Sequence, residues 1–186
     1  MTFVCCSRRI RIVVLMVGLL SALAACRDPG GSPGQGPAPA RRGLDADGRM
    51  QISRQDRCPV CAMPVAEHER FSAAVVVADG STFYFCTPGC MLRAWLKPER
   101  YLNRSRAQLV KPVARDYFTG DCIDGRNALW VSGSDVIGPM GPALVALKSD
   151  DELTAFRKRH GAGRVFRLSA LRVENWAEMI GKRPGD

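Results

Sequence analysis

Four cysteines stand as two close pairs, Cys58-Pro59-Val60-Cys61 and Cys86-Thr87-Pro88-Gly89-Cys90. No other feature constrains the fold as much, because the two pairs can share one ion only if the chain between them folds back. That chain has the makings of a return. Phe71 to Ala78 is rich in Val and reads as a strand, Asp79-Gly80 is a strong hairpin signal, and Ser81 to Phe85 reads as the returning strand. The CxxC pair lets two thiolates approach one ion from a tight turn. Thr87 and Pro88 are N-cap and first-turn signals, so the second pair stands at a helix start, where backbone amides favour thiolate. Soft sulfur ligands select Cu(I), zinc or iron–sulfur centres over hard cations.

These residues leave several readings open. Four thiolates suit a closed tetrahedral Zn²⁺ site. Met63, two residues past Cys61, is a donor that Cu(I) uses and zinc does not, although a lone methionine also serves as core filler. With Cys122, five cysteines follow residue 26, so outside the cytoplasm at least one is free, metal-bound or intermolecular. Two disulfides and an idle thiol would be the bland outcome. A thiol oxidoreductase is a weaker reading, since Pro64 breaks the segment after the CxxC. His68 lies in a polar loop within reach of a shared site, whereas His160 ends a charged helix and reads as an exposed helix-end residue. No Ser-His-Asp set, phosphate loop or zinc-hydrolase motif is present, so no catalytic residues are assigned and the chain does not read as an enzyme.

The amino terminus points to export. Arg8, Arg9 and Arg11 precede an uncharged apolar run, Ile12 to Ala25, which is shorter than the roughly 20 residues needed to span a bilayer. The run ends in Leu23-Ala24-Ala25-Cys26, which resembles a lipobox. Residues 1–25 then form a lipoprotein signal peptide and Cys26 is lipidated, giving a membrane-anchored protein that faces the periplasm, on the outer membrane in preference to the inner. An ordinary signal with a chance cysteine, or a short anchor, is the alternative. From residue 26 to 55 the chain reads as a flexible linker, with Asp28 to Ala40 mostly Gly, Pro, Ser and Ala. Loss of residues 1–25 removes three of 27 basic residues and none of 18 acidic ones, so the net charge falls from +9 to +6. No Arg/Lys block interleaves with aromatics, and nucleic acid is not an expected ligand.

Residues 56–182 read as the folded domain. The helix after Pro88 carries Cys90, Met91, Ala94 and Trp95, and an extended segment follows between Ala107 and Phe118. Ala128 to Val131 and Ala143 to Leu147 read as strands. Ser149 and Glu152 form a capping box for a helix through Arg159, closed by Gly161. Arg164 to Leu168 returns as a strand, and Ser169 opens a last amphipathic helix with Leu171, Trp176 and Ile180. The fold class is therefore α+β, with two strand-strand-helix-strand units at about 56–118 and 119–170.

Cys61-Ala62-Met63 with Val65, the Asp79-Gly80 hairpin, Asp116, Trp130, Pro139-Met140-Gly141, and the helix Ser149 to Arg159 followed by Gly163 occur in one order. In that order and spacing the chain resembles the NosL family, the copper-delivering accessory lipoproteins of nitrous oxide reductase, from Cys58 to about Leu168 and in its leader. The resemblance implies two related units, similar to part of organomercurial lyase. It also implies a periplasmic Cu(I) metallochaperone that supplies the multicopper sulfide centre of nitrous oxide reductase. The implied partners are that enzyme or its assembly machinery, and the lipid bilayer. Carried onto this chain, it makes Cys61 and Met63 ligands and puts Met140 at the methionine position of the second unit. Two departures stand out. The pair Cys86 and Cys90 is additional, resembling small metal-binding modules of the heavy-metal resistance type. No histidine follows Met140, where Gly141-Pro142-Ala143-Leu144 stands. The metal set expected is thus Cys58, Cys61, Met63, Cys86, Cys90 and Met140, with His68 as a possible addition, for Cu(I) or alternatively Zn²⁺. The rival function is a structural zinc lipoprotein that binds a protein partner.

Overall fold

The computed structural model describes residues 36–181. Cys26 and the signal segment lie outside the described residues. Two antiparallel sheets organise the rest. Strand β1 (Ala73–Val77) turns back into β2 (Thr82–Phe85) at Asp79-Gly80. The Asp79 carboxylate accepts from the amide and hydroxyl of Ser81, and Gly80 supplies the left-handed φ of +83°. Thr87 then caps α1 (Pro88–Leu96), its hydroxyl accepting the Cys90 amide at 3.2 Å, with Pro88 in the first turn. Cys90, Met91, Ala94 and Trp95 are all buried, which is the i, i+1, i+4, i+5 face expected of a helix lying on a sheet.

A second short helix, α2 (Pro98–Leu102), follows directly and ends at Asn103 in the left-handed conformation. Strand β3 (Leu109–Arg115) and the short β4 (Cys122–Asp124) complete a sheet of order β2-β1-β3-β4. The second sheet has order β8-β5-β9, built from β5 (Leu129–Ser132), β8 (Val145–Leu147) and β9 (Arg164–Phe166), with α3 (Asp150–His160) between β8 and β9. In each sheet a strand that comes first in the chain is flanked by its two successors. A separate two-stranded ribbon, β6 (Ile137–Gly138) and β7 (Gly141–Pro142), projects between β5 and β8 and carries Met140 in its turn.

Asp116 joins the two sheets. It bridges to Ala146 within β8, and the Tyr117 amide donates to the Ala146 carbonyl at 3.0 Å. Its buried carboxylate accepts from the amides of Phe118, Thr119 and Lys148 and from the Thr119 hydroxyl. Trp130, fully buried, donates its indole N–H to the Gly125 carbonyl at 3.0 Å. A Cβ on Gly125 would stand 3.0 Å from the Trp130 ring, so any larger residue there would press on the buried indole.

The sequence reading and the structure differ at both ends of the domain. Part of the expected linker is folded. The Ala40 amide donates to the Thr82 carbonyl at 2.7 Å, Leu44 pairs with Met50, and Met50 is buried. The Tyr84 hydroxyl donates to the Gly43 carbonyl and accepts from the Gln51 amide. This stretch pairs with the outer edge of β2 at Thr82 and is held to it through the Tyr84 hydroxyl, which composition alone does not reveal. At the other end, no continuous amphipathic helix starts at Ser169. A 3₁₀ turn at Leu168–Ala170 is followed by an extended Leu171 and by the single-turn α4 (Trp176–Met179). Asn175 accepts the Arg172 amide through its side chain, and this local turn competes with helix propagation.

Candidate metal centre

The Cys58–Cys61 turn is closed by backbone bonds. The Ala62 amide donates to the Cys58 carbonyl at 2.8 Å, and the Cys58 amide donates to the Met63 carbonyl at 3.0 Å. Ala62 takes a left-handed φ of +62°, which costs a residue with a Cβ roughly 1–2 kcal/mol. The hairpin β1-β2 then brings Cys86 and the first turn of α1 alongside. The sulfurs of Cys58, Cys61, Cys86 and Cys90 all lie within 4.8 Å of one another. Cys61 and Cys86 are 3.4 Å apart, and Cys90 is 3.9 Å from each of them. Cys58, Cys86 and Cys90 are buried, and Cys61 is half-buried.

These separations can be compared with metal geometry. A tetrahedral shell with metal–sulfur bonds of about 2.3 Å has edges of about 3.8 Å, and a planar three-sulfur shell has edges of about 4.0 Å. Two sulfurs opposed across one ion would need about 4.6 Å. The cluster therefore matches a tetrahedral or trigonal shell of soft donors, and a linear pair only poorly. All four thiols are free, so none is withheld in a disulfide. The cluster is capable of holding a thiophilic ion.

Crowding fixes how the protons are shared. The Cys86 and Cys90 thiols hydrogen-bond to Cys58 and hold its pKa well below the usual thiol range, against the opposing effect of burial. The same interactions with Cys58, reinforced by burial, push Cys86 and Cys90 upward, Cys90 to about 12. The shifts favour thiolate at Cys58 and the protonated thiol at Cys86 and Cys90, whose protons an incoming cation must displace.

A fifth sulfur adjoins the cluster. The Met140 thioether is 3.6 Å from the Cys90 sulfur, although the two residues belong to different halves of the chain. Met140 is 53% exposed at the tip of the β6-β7 ribbon. Cys90 and Met140 border a cavity of about 690 Å³ that also touches Phe71, Arg93, Leu144 and Trp176; of the five sulfurs, only these two line it. The Arg93 guanidinium lies over the Trp176 ring at 5.7 Å.

The remaining candidates are not among the four clustered cysteines. Met63 packs half-buried on the core, and its carbonyl accepts the Cys58 amide within the cysteine turn. His68 is half-buried on the 3₁₀ segment Ala66–Phe71 and is not a member of the four-cysteine group. His160 stands between the Tyr117 hydroxyl at 3.1 Å and the Asp135 carboxylate at 2.8 Å, in keeping with its helix-end position. Cys122 lies on β4, half-buried against the core. Sequence reasoning found every sulfur of the cluster. It did not find the cavity, because Arg93 and Trp176 are far apart in the chain and carry no spacing signal.

Comparison with known proteins fixes the lineage. The profile of the NosL family matches residues 49–176, most of the described domain. The chain belongs to the NosL family. It is 29% identical over 120 residues to the copper-binding lipoprotein NosL of Stutzerimonas stutzeri, and the match covers 62% of this chain and 62% of that relative's length. Its fold is similar to the crystal structure of the copper chaperone NosL from Shewanella denitrificans. That similarity has a TM-score of 0.56 and 19% sequence identity, and covers 67% of this chain and 96% of the other. The α+β architecture of this NosL-family chain is thus shared with a solved member. Among the described residues no helix is long and apolar enough to cross a membrane.

Proposed function

We propose that this NosL-family chain is a periplasmic Cu(I) metallochaperone that delivers copper for the maturation of nitrous oxide reductase. The observation that carries the reading is the meeting of four free thiols with an exposed thioether at the edge of a cavity. An ion held there can be approached from the cavity side, and exposed soft ligands allow replacement of one donor at a time by a recipient's ligands. Cys58, Cys61, Cys86 and Cys90 are the thiolate ligands and Met140 the thioether beside them. Met63 is a further thioether that the Cys-Ala-Met motif makes available, and His68 an additional donor that this set does not need.

The same reading has Cys26 lipidated after removal of residues 1–25, the following linker running to about Ala40, and the domain facing the periplasm, on the outer membrane in preference to the inner. Nitrous oxide reductase or its assembly machinery is the protein partner, and the bilayer is engaged through the acyl anchor. The two halves of the domain are related units, a reading supported by the equivalent orders β2-β1-β3 and β8-β5-β9.

One observation favours a second reading. The sulfur separations suit tetrahedral Zn²⁺ as well as Cu(I), so a structural zinc module is the rival. Metal analysis and exchange separate the two. A chaperone, reduced and kept anaerobic, takes up Cu(I) and yields it to a competing chelator. One tightly held zinc that Cu(I) does not replace would contradict the proposal.

A further inference from the structure

We propose that the five sulfurs hold two Cu(I) ions, an inner one on Cys58, Cys61 and Cys86 and an outer one on Cys90 and Met140 at the mouth of the cavity. The inference rests on the copper reading above and extends it to stoichiometry and order of release. Donor number is the first argument. Cu(I) is a soft ion of low coordination number, satisfied by two or three sulfurs, and five sulfurs exceed the demand of one ion. The spacing is the second. Cys90 stands 3.9 Å from Cys61 and Cys86 and 3.6 Å from Met140, so it borders both donor groups and can bridge them.

Charge gives the third argument. Four thiolates around one monovalent ion leave a net charge of −3 among residues of which Cys58 is 2% exposed, Cys86 0% and Cys90 3%. Burying uncompensated charge is costly. A second Cu(I) lowers it to −2, the charge of a zinc ion bound by four thiolates. The surroundings are also asymmetric. Cys58, Cys61 and Cys86 do not line the cavity, whereas Cys90 and Met140 do. The outer ion has one thiolate and one neutral thioether facing the cavity; at 3.6 Å these sulfurs are too close to oppose each other across the ion, so it is held bent with a further position open to the cavity, and it leaves first. The inner ion stays on three thiolates.

The test is titration of the reduced full chain, anaerobic and in detergent, with Cu(I) against a chromophoric bidentate chelator. The expected result is two equivalents, the second bound at least tenfold more weakly. Met140→Leu, at an exposed ribbon tip where folding is not at stake, should weaken the second step at least tenfold and move the first less than threefold. X-ray absorption should show copper–copper scattering in the two-equivalent form and none in the one-equivalent form. Saturation at one equivalent with a sulfur shell would overturn the second ion while leaving the copper reading intact. Equal weakening of both steps by Met140→Leu would overturn the division into inner and outer sites. A shell of nitrogen or oxygen would remove both proposals together.

Discussion

Replacement of Asp116 should separate the two sheets energetically. Its Oδ1 accepts the Phe118 amide at 3.0 Å, the Thr119 amide at 2.9 Å and the Thr119 hydroxyl at 3.1 Å, and Oδ2 accepts the Lys148 amide at 3.1 Å. Hydrogen bonds to a charged acceptor contribute roughly 1.5–3 kcal/mol each. The Lys148 amide also has Glu152 as a partner, and Thr119, which supplies two of the bonds, is exposed, so three of the four losses are softened. Asp116→Ala should then cost about 3 kcal/mol, and a domain of this size should melt about 9 °C lower. Asp116→Asn keeps the Oδ1 bonds but turns a donor toward the Lys148 amide, and should cost about 1–2 kcal/mol.

The loss should depend on pH in one direction. Burial alone would raise the Asp116 pKa, but hydrogen bonds shared with Glu152 and received from Thr119 and Phe118 outweigh it and hold the carboxyl below its usual value. A depressed folded-state pKa gives stability that is present above the unfolded value of about 3.9 and is lost as pH falls through the folded value. The gap between wild type and Asp116→Ala should therefore be constant above about pH 5 and narrow below about pH 4. Urea unfolding of the metal-free protein, followed through the buried Trp130, measures it. A loss under 1 kcal/mol at neutral pH, or a gap that widens in acid, would refute the reasoning.

Other perturbations test separate parts of the account. Ala62→Gly relieves the left-handed strain beside the cysteine turn and should stabilise the metal-free protein by about 1 kcal/mol in thermal melts. Tyr84→Phe removes the hydroxyl that ties Gly43 and Gln51 to β2; it should cost about 1 kcal/mol and speed amide exchange between residues 40 and 52, with Cu(I) affinity unchanged. Apparent Cu(I) affinity should rise with pH through the neutral range. Contact with Cys58 and burial push Cys86 and Cys90 upward, so ligation requires loss of their protons, whereas Cys58 is shifted toward its thiolate. Proton release measured in buffers of different ionisation enthalpy checks this, and pH-independent affinity would count against both as ligands.

Local signals made much of the fold legible. Asp79-Gly80 marks the hairpin, Thr87-Pro88 the start of α1, and Ser149 with Glu152 the start of α3, each because a short-range bond or a fixed φ sets the conformation. Features decided by distant packing were not legible. The segment around Met50 is polar and glycine-rich, and only the Tyr84 hydroxyl and the free edge of β2 explain why it is ordered. Strand β4 and the β6-β7 ribbon are too short to show a period. In the site, cysteine spacing disclosed the four thiols because a turn and a helix start hold each pair locally. The approach of Met140 to Cys90 depends on how the two sheets join at Asp116. Only the family resemblance had singled that methionine out.

The most direct test of the copper-site proposal is X-ray absorption at the copper edge on the reduced, Cu(I)-loaded protein, for the wild type and a Cys86→Ser, Cys90→Ser double variant. The account predicts a first shell made of sulfur in the wild type and a fall in Cu(I) affinity of at least a hundredfold in the double variant, with the metal-free fold retained. A wild-type shell of nitrogen and oxygen, or unchanged copper affinity in a folded double variant, would contradict it.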